Sequence, residues 1–238
     1  MKKHIPNIIT LLNLFCGCIA VVFVSELNFA MAFLFVSLGI FLDFFDGFFA
    51  RLFKVSSPLG LQLDSLADMV TSGVVPGYVM FMMLKSIENG NQFLPYLGFI
   101  ITLGACYRLA NFNIDTRQTD SFIGLPTPAN ALFILSLPLI NQAFHDDNFS
   151  GNIFPVWVLI AITFLSVYIM NAEIPLFSLK IKSFNLKDNL LQLVFLSISI
   201  ILLAVFQFLG VAIVILFYIL LSVLMNFFQK KSNLYLIY

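Results

Sequence analysis

Apolar runs long enough to cross a lipid bilayer, repeated along almost the whole chain, restrict what this sequence can fold into more than any other feature. Hydrophobic stretches between polar or Pro/Gly breaks fall at about 7–25, 28–53, 60–84, 93–114, 125–144, 153–171, 189–207 and 209–228. A spanning helix needs about 20 such residues. The 238 residues therefore accommodate about eight spans with short connections. Backbone groups cannot stay unpaired in lipid, and the alternation of barrel strands is missing, so each run is expected to be a helix. The expected fold class is all-α: one polytopic integral membrane domain, residues 1–238, with about eight transmembrane helices and no internal repeat or long linker.

Composition agrees. Hydrophobic residues make up 61% and charged residues 10% of the chain, with a mean hydropathy of +1.01, whereas soluble domains are roughly 25% charged. Net charge is zero, so nothing points to a nucleic-acid partner, and no run of like charges marks a tail. The start, "MKKHIPNIITLLNLFCGCIAVVFV", has the charged head and apolar body of a signal peptide. Its apolar run is too long and lacks a small-x-small end, so it is expected to remain as the first span. If the helices alternate, Lys2, Lys3, Lys54, Arg117, Lys180, Lys182, Lys187, Lys230 and Lys231 share one side. Only Lys85 falls on the other, where Glu26, Glu88, Asp146 and Asp147 also lie. That asymmetry places both termini in the cytoplasm of a multi-pass cell membrane protein. The group Lys180, Lys182 and Lys187 suits anionic headgroups. Cys16, Cys18 and Cys106 sit in apolar segments and are expected to be small buried hydrophobes. His4 and His145 have no partner in sequence and are assigned no chemistry.

One stretch breaks the pattern: "DFFDGFFARLFKVSSPLGLQLDSLAD", residues 43–68. Asp43 and Asp46 are three apart, and Asp64 and Asp68 four apart, so each pair occupies one face of its helix. The turn "KVSSP" brings the two helices together as a cytoplasmic hairpin. Asp43 lies eight residues before Arg51, about 12 Å along a helix, at a depth where a lone carboxylate is costly. Arg51 and Lys54 can balance two of the four charges, and two divalent cations would balance the set. All-oxygen ligation favours Mg²⁺ or Mn²⁺. Paired hard cations on carboxylates serve phosphoryl transfer. Gly47, Ala50 and Gly60 either let a bulky diphosphate approach the backbone or let the helices pack closely.

The residues Asp43, Asp46, Gly47, Ala50, Arg51, Gly60, Asp64 and Asp68 match the signature D-x2-D-G-x2-A-R-x8-G-x3-D-x3-D, and in this the chain resembles the CDP-alcohol phosphatidyltransferases. The resemblance implies an integral membrane enzyme in which an alcohol displaces CMP from a CDP-linked substrate. It implies that Asp43, Asp46 and Asp64 bind metal, and that Asp68 is both a metal ligand and the general base. Gly47, Ala50 and Gly60 would line the nucleotide pocket. Arg51 would either make a structural ion pair or touch the cytidine diphosphate.

Three further blocks resemble the bacterial type of phosphatidylserine synthase within that family, over about residues 5–190. "IPNIITLLNLFCG" at 5–17 has Asn7 and Thr10 where the family contacts the nucleotide diphosphate. "YRLANFN" at 107–113 and "FIGLPTPANA" at 122–131 are the others, with Asn111 where the subfamily often has a second arginine. The resemblance implies CDP-diacylglycerol and L-serine as substrates, two Mg²⁺ or Mn²⁺ ions, and a homodimer. On physical grounds Arg108 offers a planar fork for a carboxylate, and the helix start at Thr127 offers free N–H groups. Arg108 as a headgroup anchor is the alternative. Glycerol 3-phosphate or an inositol phosphate as acceptor, a membrane prenyltransferase, and, in another class, an intramembrane-carboxylate cation transporter are the competing functions.

Overall fold

The computed structural model describes residues 4–55, 57–87, 91–115, 123–144, 153–177 and 189–235. Lys2, Lys3, Glu88, Arg117, His145, Asp146, Asp147, Lys180, Lys182 and Lys187 lie outside the described residues, as do the side chains of Lys230 and Lys231. The helices are α1 (Ile5–Ser25), α2 (Phe29–Phe53), α3 (Pro58–Asp68), α4 (Val75–Lys85), α5 (Ile100–Ile114), α6 (Thr127–Ala143), α7 (Val156–Asn171) and α8 (Leu190–Tyr235). A π-helical turn, Met69–Val74, joins α3 to α4 without a break, and a 3-10 turn, Leu94–Phe99, leads into α5. Among the described residues there is no strand, only an isolated bridge between Ile123 and Pro175.

Five segments are long and apolar enough to cross a membrane: Ile5–Ser25, Phe29–Phe53, Pro58–Lys85, Leu94–Ile114 and Leu190–Phe227. α7 is apolar but shorter, and α6, 17 residues long, carries Pro138 inside it. The chain is therefore an all-α, multi-pass membrane protein. A straight α8 of 46 residues would be about 69 Å long, far beyond a hydrocarbon core of about 30 Å. Instead the chain reverses at Gln207 (φ 48°, ψ −118°). Phe195 stacks on Phe217 with centroids 5.8 Å apart, and a Cβ at Gly210 would sit 2.4 Å from the Leu202 carbonyl oxygen. The two arms of α8 thus run antiparallel.

α4 occupies the centre. Val75, Val79, Met80 and Leu84 are at most 1% exposed, packed with Ile101, Ile134, Leu135 and Leu159. Phe15, Phe41, Phe44 and Phe48 face outward, as lipid-facing side chains should. Cys16 is buried as expected, whereas Cys18 and Cys106 are exposed on outer helix faces; all three are free thiols.

Two local devices position the site. At the end of α2, Lys54 takes the left-handed conformation (φ 53°, ψ 40°) and the Val55 N–H donates to the Ala50 carbonyl at 3.0 Å, closing the helix as such caps do. Ser57 then caps α3, accepting from the Gly60 N–H at 3.0 Å, with Pro58 in the first turn. The second device lies before α6. Gly124 has φ +73°, and its N–H donates to the Ile174 carbonyl at 2.9 Å. A Cβ there would lie 2.3 Å from the Met170 carbonyl oxygen, so only glycine lets the start of α6 close on the end of α7.

Candidate active site

The α2–α3 hairpin brings the acidic pairs face to face. Asp43, Asp46 and Asp64 offer carboxylate oxygens that all lie within 4.8 Å of one another. Asp46 is buried; Asp43, Asp64 and Asp68 are partly buried. Asp68 stands beside this triad and is joined to it through Asn13, whose amide nitrogen is 3.4 Å from Asp43 Oδ1 and 3.4 Å from Asp68 Oδ1. Three convergent carboxylates from two rigid helices, with no sulfur or imidazole among them, form a donor set that fits a hard divalent cation.

α1 supplies one wall. Its buried residues Pro6, Thr10, Asn13 and Gly17 recur at helical spacing and face α2 and α3. The Thr10 hydroxyl is 2.5 Å from Asp46 Oδ2 and 3.0 Å from the Pro6 carbonyl oxygen. A cavity of about 210 Å³ opens here, and its walls include Asn7, Thr10, Asp46, Gly47, Gly60 and Asp64, with Ala50 beside them. Small residues leave the space: a Cβ at Gly47 would meet nothing closer than Arg51 Nη1 at 3.7 Å, while one at Gly60 would lie 3.2 Å from Asn7 Oδ1. Arg51 itself is exposed in the last turn of α2 and does not line the cavity.

A second cavity, about 320 Å³, lies at the ends of α5 and α7. Arg108, Asn111, Asp115, Asn171 and Glu173 contribute its polar surface. Arg108 is only 8% exposed and lies within electrostatic reach of Asp68. Its Nε and Nη2 have no hydrogen-bond partner among the described residues. Those two atoms form one edge of the guanidinium, the edge that accepts a carboxylate side-on. Thr127, at the first position of α6, is 1% exposed, and its hydroxyl also lacks a partner among the described residues. Asn111 is exposed at the cavity rim.

The structure thus gathers Asn7, Thr10, Gly47, Ala50, Gly60, Asp46 and Asp64 at one cavity, with Asp43 and Asp68 beside them, places Arg108 at the next, and leaves Arg51 and Thr127 outside both. Sequence reasoning passed over Asn13 and Thr71, both 0% exposed. The signal was available: Asn13 lies three residues after Thr10 on the same face of an otherwise apolar helix, where a buried amide needs partners.

Residues 3–168 match the family model for CDP-alcohol phosphatidyltransferase. The chain is 32% identical over 195 residues to the CDP-diacylglycerol–serine O-phosphatidyltransferase of Helicobacter pylori (strain 26695), covering 81% of this chain and 80% of the relative. It is 36% identical over 139 residues to the protein of that name in Bacillus subtilis (strain 168), covering 57% of this chain and 75% of the relative. The Saccharomyces cerevisiae protein of the same name is 33% identical over 171 residues, covering 63% and 59%.

Proposed function

The chain belongs to the CDP-alcohol phosphatidyltransferase family, and from that premise we propose that it transfers the phosphatidyl group of CDP-diacylglycerol to L-serine, giving phosphatidylserine and CMP. The observation that carries the choice of acceptor is the buried guanidinium of Arg108 in the second cavity. Its Nε and Nη2 edge suits a single carboxylate, the group that an amino-acid acceptor brings and a sugar-alcohol phosphate lacks. The names of the relatives support serine as well.

In this reading Asn7, Thr10, Gly47, Ala50 and Gly60 hold the cytidine diphosphate, while the acyl chains pass sideways between helices into the bilayer. Arg51, outside the cavity, serves as a structural cation at the hairpin. Asp43, Asp46, Asp64 and Asp68 would hold two Mg²⁺ or Mn²⁺ ions, which supply charge neutralisation for the diphosphate and for departing CMP. Arg108 and the start of α6 at Thr127 orient the serine carboxylate. Asp68, joined to Asp43 through Asn13 and within electrostatic reach of Arg108, accepts the proton of the serine hydroxyl. The serine oxygen then forms a bond to the phosphorus that carries diacylglycerol, and the bond from that phosphorus to CMP breaks. The site faces the cytoplasm of the inner membrane, where serine and CMP are soluble, and the enzyme is a homodimer by family resemblance.

CMP release from CDP-diacylglycerol tests the proposal, measured with serine, glycerol 3-phosphate or inositol phosphate, each with Mg²⁺, Mn²⁺ or chelator. Serine should support turnover with either ion, and chelator should stop it. Release with glycerol 3-phosphate but not with serine would overturn the acceptor assignment, and no release with any acceptor would overturn the transferase.

A further inference from the structure

Asn13 occupies a position that the reaction as described does not use. It is 0% exposed, in the middle of α1, where an amide without partners would be costly. Its nitrogen carries two hydrogens and faces two acceptors on different helices, Asp43 Oδ1 on α2 and Asp68 Oδ1 on α3, each at 3.4 Å. Its oxygen accepts from the Thr71 hydroxyl at 2.9 Å. Thr71 lies in the π-helical turn directly after Asp68 and is also 0% exposed. Such turns recur at functional sites because they re-aim side chains.

Glycines on α1 and α2 leave the room that this pair occupies. A Cβ at Gly39 would lie 2.7 Å from Asn13 Oδ1 and 2.9 Å from Thr71 Cγ2. A Cβ at Gly17 would lie 2.6 Å from Thr71 Oγ1. The Thr71 hydroxyl lies 2.9 Å from Asn13 Oδ1 and 3.2 Å from the Asn13 carbonyl oxygen, and the shorter contact marks the acceptor end of the amide, leaving its nitrogen toward the two carboxylates. An aspartate at position 13 would bring a further carboxylate and no donor. Leucine would leave Thr71 and both carboxylate oxygens without the amide.

We propose that Asn13, locked by Thr71, is a positioning residue that ties the metal-binding carboxylate Asp43 to the base Asp68. By donating one hydrogen to Oδ1 of each, it sets the separation of α2 and α3 at the site and leaves Asp68 Oδ2 to face the acceptor hydroxyl. The proposal rests on the reading of Asp43 as a metal ligand and Asp68 as the base. Neither Asn13 nor Thr71 touches substrate in it. Residues that orient ligating carboxylates typically contribute about 10–100-fold in metal affinity or activity.

The test uses the purified full-length enzyme with Asn13→Ala, Thr71→Val and Thr71→Ser, alongside Asp68→Ala. Three quantities are read: kcat and KM for each substrate, Mn²⁺ affinity from the electron paramagnetic resonance of the free ion, and melting temperature. Asn13→Ala and Thr71→Val should lower kcat and weaken Mn²⁺ binding by about 10–100-fold, with both KM values little changed. Thr71→Ser keeps the hydroxyl and should restore both. Wild-type kcat and Mn²⁺ affinity in Thr71→Val, a near-isosteric change that spares folding, would overturn the proposal. So would a Thr71→Ser variant as impaired as Thr71→Val, since packing of the methyl group would then be the cause. If Asp68→Ala turns over normally, the reading of the base fails. If Asp68→Ala is inactive while Asn13→Ala and Thr71→Val are normal, only the positioning role fails.

Discussion

At the scale of single residues, the site rests on carboxylates placed where a membrane protein can least accommodate them without a task. Asp68 differs from the triad Asp43, Asp46 and Asp64 in its neighbours: it shares Asn13 with Asp43 but also lies within electrostatic reach of the Arg108 guanidinium. Substituting Asp68→Ala should abolish serine-dependent CMP release while CDP-diacylglycerol still binds, because the triad and the first cavity are untouched. Turnover and equilibrium binding of the nucleotide lipid, measured on one preparation, check this, and retained turnover would remove Asp68 as the base. Arg108 makes a sharper prediction about the acceptor. Lysine keeps its charge but loses the Nε and Nη2 edge. Hydrogen bonds to charged groups are worth about 1.5–3 kcal/mol, so Arg108→Lys should raise the serine KM by about 10–100-fold. The KM for CDP-diacylglycerol should stay the same. Equal changes in both constants would make Arg108 a headgroup anchor instead.

At the scale of helices, the α2–α3 hairpin was almost fully legible in the sequence. Lengths of apolar runs and the turn "KVSSP" placed the two acidic pairs opposite each other, and the pocket-lining Gly47, Ala50 and Gly60 follow from the same register. The reversal at Gln207 coincides with the end of the first of the two apolar runs, 189–207 and 209–228, that the sequence marked out. The contributions of α1 and the π-helical turn were not legible, because both depend on packing. A π-helical turn leaves no mark in hydropathy, and Asn13 reads as one polar residue in a greasy helix until Thr71 and two aspartates are brought to it. Cys18 and Cys106 illustrate a similar limit: in lipid an apolar run does not reveal which side chains face inward. The hairpin also separates the two explanations of its small residues. Gly47 has open space around it, with no atom closer than 3.7 Å to an added Cβ. Gly→Ala in a helix interior adds about 1 kcal/mol of stability. Gly47→Ala should therefore raise the melting temperature slightly while raising the KM for CDP-diacylglycerol, as a methyl group enters the nucleotide cavity. A stability gain with unchanged kinetics would show that Gly47 does not serve the ligand.

At the scale of the whole molecule, the side of the membrane that carries chemistry depends on how many times the chain crosses it. The distribution of basic residues predicts the hairpin and both termini on one side, and at the two ends of the chain the basic side chains lie outside the described structure. The geometry of α8 offers independent support. Its arms run antiparallel from Gln207, as the Phe195–Phe217 stack and the approach of Gly210 to Leu202 require. An antiparallel pair returns the chain to the side from which it entered, whereas a continuous α8 would leave the C-terminus opposite. If Pro58–Lys85 is one span and α1, α2, α5, α6 and α7 each cross once, the reversal makes the number of crossings even. Epitope tags at the two termini should therefore resist protease added to intact spheroplasts, and both should be cleaved in inverted membrane vesicles. A single cysteine at Ser57, in the α2–α3 turn, should be labelled by a membrane-impermeant maleimide only in the inverted vesicles, in a background with Cys16, Cys18 and Cys106 replaced. Termini on opposite sides would mean that α8 crosses once. Labelling of Ser57→Cys from the outside would move the carboxylates away from the serine pool and would contradict a cytoplasmic synthase.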